Sequence, residues 1–140
     1  MVDFSKVMVH CSATPDVETG WAAKVGVEEI DRWHRDRGWS GVGYHYVIKR
    51  DGTVEEGRPL TKSGAHTRGM NHHPGICWIG TKRPTGKQLE AFCRLHDMLA
   101  SQYNVHPFDY QPHYNYANKE CPGFPIEMLQ FILHLHETSK

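Results

Sequence analysis

Short apolar segments rich in β-branched and aromatic residues predict four strands along the chain. The first covers residues 6–11 (KVMVHC) and ends at a polar turn. The second covers residues 44–49 (YHYVIK), and Asp51-Gly52, a strong hairpin signal, connects it to a short return strand at residues 53–56. Residues 76–79 are apolar throughout, which indicates a buried strand.

Helical periodicity appears in three other segments. Residues 27–37 place apolar side chains at helical spacing. Thr85 and Gln88 have the spacing of a capping box, and a second apolar helical face follows them. Pro125 suits the first turn of a last helix, because its ring favours helical backbone angles and that position needs no N–H donor.

Two segments between these elements show little periodicity, residues 58–74 and residues 104–124. An irregular segment as long as the second is usually functional in a compact domain. The order of elements is β-α-β-β-β-α-loop-α, which predicts an α/β (α+β) fold. We expect a mixed central β-sheet flanked by about three helices.

Composition excludes several classes of function. The 140 residues suit one domain, and lysine plus arginine balance aspartate plus glutamate at 16 each. Duplex-DNA binders usually carry a basic excess, so no nucleic-acid partner is expected. The apolar runs are too short to span a membrane, so no membrane partner is expected either. Residues 1–10 have no signal-peptide pattern, which predicts synthesis in the cytoplasm.

The chain contains 11 histidines, an unusually high number, and histidine is the commonest protein ligand for metals. His10 lies near the carboxyl end of the first predicted strand, where ligands tend to emerge in α/β sheets, although a strand-end histidine bonded to the backbone is the more common explanation when His10 is taken alone. His113 and Cys121 lie eight residues apart in the irregular stretch. These three side chains would form a zinc set with a fourth position open to water, but the spacing alone is weak evidence.

The other three cysteines are expected to be small buried residues without a chemical role: Cys11, Cys77 and Cys93. No CxxC pair is present, so a structural zinc knuckle is not expected. Side chains alternate along a strand, which turns Cys11 away from His10 and His45 away from Tyr44.

Five groups of motifs occur in a fixed order along residues 7–131: Val9-His-Cys-Ser-Ala-Thr14, Trp33-His-Arg-Asp-Arg-Gly-Trp39, Val42-Gly-Tyr-His-Tyr46 with Ile48-Lys-Arg-Asp-Gly-Thr-Val54, Gly64-Ala-His66 with Gly69-Met-Asn71, and His113 followed by Lys119-Glu-Cys121-Pro122. Through them the chain resembles the zinc-dependent N-acetylmuramoyl-L-alanine amidases of type 2, of the small bacteriophage lysozyme kind. Peptidoglycan recognition proteins share the fold of this family. The order of all the motifs makes the resemblance specific.

The resemblance implies a role for each matching residue. The zinc ligands would be His10, His113 and Cys121, with one Zn²⁺ per chain. Tyr44 and Lys119 match the catalytic tyrosine and lysine. The positions that line the substrate groove are matched by two more residues, His66 and Asn71.

The resemblance also implies the biological setting. We expect residues 1–140 to be a single catalytic amidase domain without a separate cell-wall-binding domain, acting as a monomer. The expected substrate is peptidoglycan, cut between the lactyl group of N-acetylmuramic acid and L-alanine. A phage or prophage endolysin of this kind would act in the periplasm after release from the cytoplasm.

One departure and one alternative remain. The segment before the last predicted strand reads His72-His73-Pro74-Gly75 where the family usually has serine or a similar residue before the glycine, so the groove wall is expected to differ there. A domain of this fold that binds peptidoglycan without cleaving it is the alternative function. Such recognition domains typically lack the ligand cysteine, so Cys121 favours the enzyme.

Overall fold

The computed structural model describes residues 1–140 and is built on one five-stranded sheet with the order β3-β2-β4-β1-β5. The strands are β1 (Val7–Cys11), β2 (Tyr46–Ile48), β3 (Val54–Glu56), β4 (Gly75–Trp78) and β5 (Tyr110–Pro112). Strand β3 returns antiparallel to β2, and every other neighbouring pair is parallel. The predicted mixed sheet is confirmed.

Three helices cover the two faces of this sheet: α1 (Val27–Asp36), α2 (Gly86–Tyr103) and α3 (Ile126–Thr138). Helices α2 and α3 bury the larger core, in which Phe92 and Leu129 pack against Val9. Helix α1 covers the other face, where Ile30 packs with Val47. Since Val7 and Val9 belong to the larger core, alternation directs His10 to the α1 side of the sheet. No helix is both long and apolar enough to cross a membrane.

The parallel register brings distant parts of the chain to one edge of the sheet. His10 is paired with Cys77 of β4, and Val9 is paired with Pro112 of β5. His113 follows Pro112 directly and begins a 3-10 turn, His113–Asn115. The carboxyl ends of β1 and β5 therefore deliver two histidines to the same place.

The structure corrects two sequence-based expectations. Residues 104–124 are not structureless, because they contain β5 and the 3-10 turns Pro107–Asp109 and His113–Asn115. Strand β5 is too short to show alternation, and Pro112 is acceptable because β5 is an edge strand. The second strand starts at Tyr46 and not at residue 44, because the backbone bends at His45.

The capping box of α2 is formed as predicted. The Gln88 amide donates to Thr85 Oγ1 at 3.0 Å, and the Thr85 amide donates to Gln88 Oε1 at 2.9 Å. Replacement Thr85→Ala is expected to lower the free energy of unfolding by about 1 kcal/mol, because an N-terminal amide loses its acceptor. Urea denaturation measures this change. The exposed Thr61, whose side chain makes no hydrogen bond, provides the control Thr61→Ala; equal stability of the two variants would contradict the role of the cap.

Candidate metal centre

Three side chains from distant parts of the chain converge at the carboxyl ends of β1 and β5. Nδ1 of His10 lies 3.2 Å from Nδ1 of His113 and 3.8 Å from Sγ of Cys121. All three potential ligand atoms lie within 4.8 Å of one another. Tetrahedral zinc with ordinary bond lengths separates two nitrogens by about 3.3 Å and a nitrogen from a sulfur by about 3.6 Å. The donor set and its spacing therefore fit zinc.

A hydrogen-bond chain behind His10 determines which of its nitrogens is free. The chain ends at the carbonyl of His73, which only accepts, so His66 must donate to it from Nε2, at 2.9 Å. Nδ1 of His66 then accepts from the Thr67 hydroxyl at 3.1 Å, and Thr67 Oγ1 accepts from Nε2 of His10 at 3.0 Å. In this arrangement His10 carries its proton on Nε2, and the Nδ1 lone pair faces the other ligands.

Burial keeps the histidines of the centre neutral. It lowers the pKa of His10, with contributions from His66 and His113, and it lowers the pKa of His66 to about 4. The pKa of His113 is also lowered, first by burial and then by the positive charge of Lys119. Neutral imidazoles are the form that binds metals, so protons are expected to compete little for these two histidine ligands near pH 7.

Cys121 is held by the neighbouring strand. The Cys11 amide donates to Sγ of Cys121 at 2.9 Å. Contact with the Cys11 thiol, together with burial, raises the pKa of Cys121, so its thiol is protonated without a bound cation. A divalent cation reverses this preference, because a coordinated thiol loses its proton. Cys11 packs against the α2–α3 core, as its position in the strand predicts, but it is only half-buried and also lines the cavity, so the expectation of a buried residue is met only in part.

The three ligands lie at one side of an open cavity of about 1000 Å³. Helix α1 and the segment after it contribute His34 and Trp39, whose rings pack with a centroid distance of 4.5 Å. Two exposed lysines line the rim of the cavity and add positive charge to it, Lys82 and Lys119. A cavity of this size lies at the upper end of the range for ligand-binding pockets and leaves room for an extended ligand beside the metal-binding set on its wall.

The two predicted catalytic residues both line this cavity. The Tyr44 ring lies with its centroid 5.1 Å from that of His10. Burial and the neighbouring thiols Cys77 and Cys121 raise the pKa of Tyr44 well above its usual value, so it remains a neutral phenol. Lys119 is exposed at the rim, and its ammonium group makes no ion pair.

The two predicted groove residues have different positions. His66 lines the cavity, and its ring occupies space that a Cβ at Gly64 or Gly75 would block. Asn71 lies behind it, and its Oδ1 accepts from the amides of His66 and Thr67 at 2.7 and 2.8 Å. Asn71 thus supports the turn that carries His66, and its contact with substrate stays a prediction.

Sequence reasoning did not identify Thr67 or the backbone amide of Cys11. Thr67 is 2% exposed and lies next to His66 in an irregular loop, where nothing in its spacing indicates that it faces His10. His45 is turned away from Tyr44 and the cavity, as alternation along the strand predicts. Its ring bonds the Lys62 carbonyl and the Gly75 amide, at 2.8 and 3.1 Å.

Comparison with known proteins connects this centre to one family. The family model described as N-acetylmuramoyl-L-alanine amidase matches residues 2–124. The endolysin of Escherichia phage T7 is 38% identical over 130 residues, covering 86% of this chain and 82% of the relative. Peptidoglycan-recognition protein SC2 of Drosophila melanogaster is 30% identical over 128 residues, covering 87% of this chain and 70% of the relative.

A solved structure agrees with the sequence relatives. The endolysin N-acetylmuramoyl-L-alanine amidase LysCS from Clostridium intestinale URNW superposes with a TM-score of 0.81 at 30% identity. The match covers 95% of this chain and 85% of that one. The sheet and helices that position the three ligands are therefore shared with a protein described as an amidase.

Proposed function

The chain belongs to the N-acetylmuramoyl-L-alanine amidase family and is a peptidoglycan amidase, and from this premise we propose that it is zinc-dependent and cuts the bond between the lactyl group of N-acetylmuramic acid and L-alanine. One observation carries the proposal: His10, His113 and Cys121 bring two imidazole nitrogens and one sulfur together on the wall of an open cavity. A structural zinc site would close all four positions with protein ligands, and here only three are present.

Zinc held by these residues would polarise the scissile carbonyl and acidify a water molecule. One thiolate and two neutral imidazoles leave the centre with a net charge of about +1, which preserves its attraction for an oxyanion. The chain's own task is to hold the three ligands in the correct protonation state. Thr67 does this for His10, and the Cys11 amide does it for Cys121 by donating to its sulfur.

Tyr44 is suited to proton handling beside the ligands. Its neutral hydroxyl can donate one hydrogen bond and accept another, and its ring lies next to that of His10. In that place it can orient the attacking water or pass a proton to the departing amine of L-alanine. Both tasks require the hydroxyl group and not the ring.

Lys119 is suited to the negative charge that develops when water adds to the amide. The residue precedes the ligand Cys121 by two positions, and its charge is felt at His113. An ammonium group placed at the developing oxyanion stabilises the transition state more than the neutral substrate. We assign substrate contact in the groove to His66, with Asn71 as its partner.

The relatives support the biological role of an endolysin. Two relatives described as endolysins, from Enterobacteria phage T3 and Escherichia phage T7, are each 38% identical to this chain. We propose that the protein works as a monomer on the bacterial cell wall, reaching it in the periplasm after release from the cytoplasm, and lyses the host. Binding without cleavage is disfavoured because both Cys121 and Lys119 are present.

The decisive test is mass analysis of purified peptidoglycan after digestion. The zinc-loaded protein is expected to release stem peptides that begin with L-alanine and to leave glycan chains with free lactyl groups. Unchanged peptidoglycan, combined with measurable binding to it, would support the binding module instead. Fragments cut within the glycan would contradict the proposed bond.

The hydrogen bond from His10 to Thr67 supplies a further prediction. Replacement Thr67→Val keeps the shape of the side chain and removes the oxygen that accepts from His10. Zinc affinity is expected to fall by about 10- to 100-fold, as for other groups that orient a metal ligand. Competition with a chromogenic chelator measures this affinity.

The control for this variant is Thr81→Val. Thr81 also lines the cavity and also loses one hydrogen bond, from its hydroxyl to the Thr14 carbonyl, but it does not touch a ligand. Equal zinc affinity in the two variants would show that Thr67 does not orient His10.

A further inference from the structure

A second cluster of metal-binding side chains joins the amino-terminal segment to the turn before β4. It consists of Asp3, His72 and His73, and one potential ligand atom from each lies within 4.8 Å of the other two. None of these residues lines the cavity of the amidase centre. We propose that this cluster is a separate, peripheral site for a divalent transition-metal ion of the zinc and cobalt class.

The backbone brings the three residues together without a metal. The Asp3 amide donates to the His72 carbonyl at 2.7 Å, and the neighbouring Val2 amide donates to the Leu60 carbonyl at 2.8 Å. The Ser5 amide donates to Oδ1 of Asp3 at 2.8 Å, which fixes the carboxylate. One carboxylate oxygen is thereby held by the protein, and the other, Oδ2, is directed towards His73.

The separation of two of the donors is close to what an ion between them needs. Nδ1 of His73 lies 4.0 Å from Oδ2 of Asp3. A tetrahedral ion with bonds of about 2.1 Å separates its ligand atoms by about 3.4 Å, so the exposed Asp3 carboxylate turns about 0.6 Å closer on binding. The ring of His72 lies beside that of His73 with a centroid distance of 4.0 Å, which places a second imidazole within reach of the same ion.

The protein holds His73 firmly and leaves the other two ligands accessible. His73 is 4% exposed, and its Nδ1 donates to the Asp3 carbonyl at 2.8 Å. For an ion to bind at Nδ1, the neutral ring takes its other tautomer, with the proton moved through solvent to Nε2, and the hydrogen bond to the Asp3 carbonyl is exchanged for the bond to the ion. Asp3 and His72 are exposed, so an ion can enter from solvent.

The chemistry of the donors selects the ion. Two imidazoles and one carboxylate favour zinc, cobalt(II) or nickel(II), whereas magnesium and calcium prefer sets made of oxygen. Hydrogen bonds from Ser5, aided by the nearby histidines, lower the pKa of Asp3, so its carboxylate is charged near neutral pH. No sulfur is present, which distinguishes this site from the centre that contains Cys121.

The site is connected to the amidase centre through the backbone of His73. Its carbonyl accepts from Nε2 of His66, the first member of the hydrogen-bond chain that reaches His10. An ion at the peripheral site therefore fixes the amino-terminal segment and the turn that anchors His66. The expected result of binding is greater thermal stability of the loaded enzyme.

The test is titration of the zinc-loaded enzyme with Co²⁺. One additional Co²⁺ per chain is expected to remain after gel filtration, measured by elemental analysis, and to raise the melting temperature. Its optical spectrum should lack thiolate-to-cobalt charge transfer, because no sulfur is among the ligands. A Co²⁺ that shows this band would have entered the amidase centre, and the proposal would be wrong.

The double variant Asp3→Asn, His72→Gln tests the residues themselves. It is expected to lose the additional Co²⁺ and the rise in melting temperature while keeping the first zinc and full amidase activity. Asp36→Asn, His106→Gln changes one exposed aspartate and one exposed histidine elsewhere and should retain the additional ion. If the first variant retains the additional ion, or if the unmodified enzyme does not bind it, the proposed metal site is wrong. The cluster would then only hold the amino-terminal segment in place through hydrogen bonds.

Discussion

Replacement Cys121→Ser is expected to remove zinc from the amidase centre and to reduce hydrolysis of peptidoglycan by at least about a thousandfold. A neutral hydroxyl is a far poorer ligand than a thiolate, and the two histidines that remain do not make a complete set. Loss of metal catalysis is worth several kcal/mol, and each 1.36 kcal/mol is about tenfold in rate. Elemental analysis measures the zinc, and release of soluble fragments from dye-labelled peptidoglycan measures the activity.

A matched cysteine provides the control. Cys93 lies half-buried on α2, remote from the cavity, so Cys93→Ser should keep both zinc and activity. A Cys121→Ser protein that retains zinc and turnover would mean that the assigned metal centre is wrong.

Replacement Lys119→Ala is expected to lower kcat by about a hundredfold or more while zinc content and stability stay unchanged. The loss of one group that stabilises an oxyanion typically has this effect. Folding should be unaffected because Lys119 is exposed and its side chain makes no hydrogen bond or ion pair. Steady-state kinetics with a soluble muropeptide, together with zinc analysis and thermal unfolding, separate these quantities.

Lys82 is the natural control, because it is another exposed lysine on the rim of the same cavity. Lys82→Ala removes the same charge but not from the segment between the ligands, so kcat should change little. A Lys119→Ala enzyme with normal kcat would make Lys119 a solvated rim residue. A variant that loses zinc would show that Lys119 organises the ligand loop.

The sequence predicts those parts of the fold whose signals are local. Helices α1, α2 and α3 carry apolar residues at helical spacing, and Thr85 marks the start of α2, so their positions are confirmed within a few residues. Strand β5 has no such signal. It is three residues long, it pairs on one edge with β1, and it exists because of that pairing rather than because of its own propensity.

The functional site is also only partly predictable from the sequence. The ligands and catalytic candidates are predictable only through the family resemblance, because the spacing of His113 and Cys121 is uninformative alone. Thr67 and the Cys11 amide are invisible to motif analysis, since a hydroxyl and a backbone N–H gain their roles only when distant segments meet. The sequence indicates only that the segment with His72 and His73 departs from the family pattern, and the structure places both side chains beside that of Asp3.

The central position of β1 has a consequence for the time at which activity appears. Both neighbours of β1 in the sheet, β4 and β5, follow it far along the chain, and the ligand Cys121 comes later still. A chain emerging from the ribosome therefore cannot align His10 with its partners until almost all of these elements have been synthesised. Such long-range pairings also make folding slower than in helical bundles of the same size. An incomplete chain therefore lacks the assembled set of three ligands.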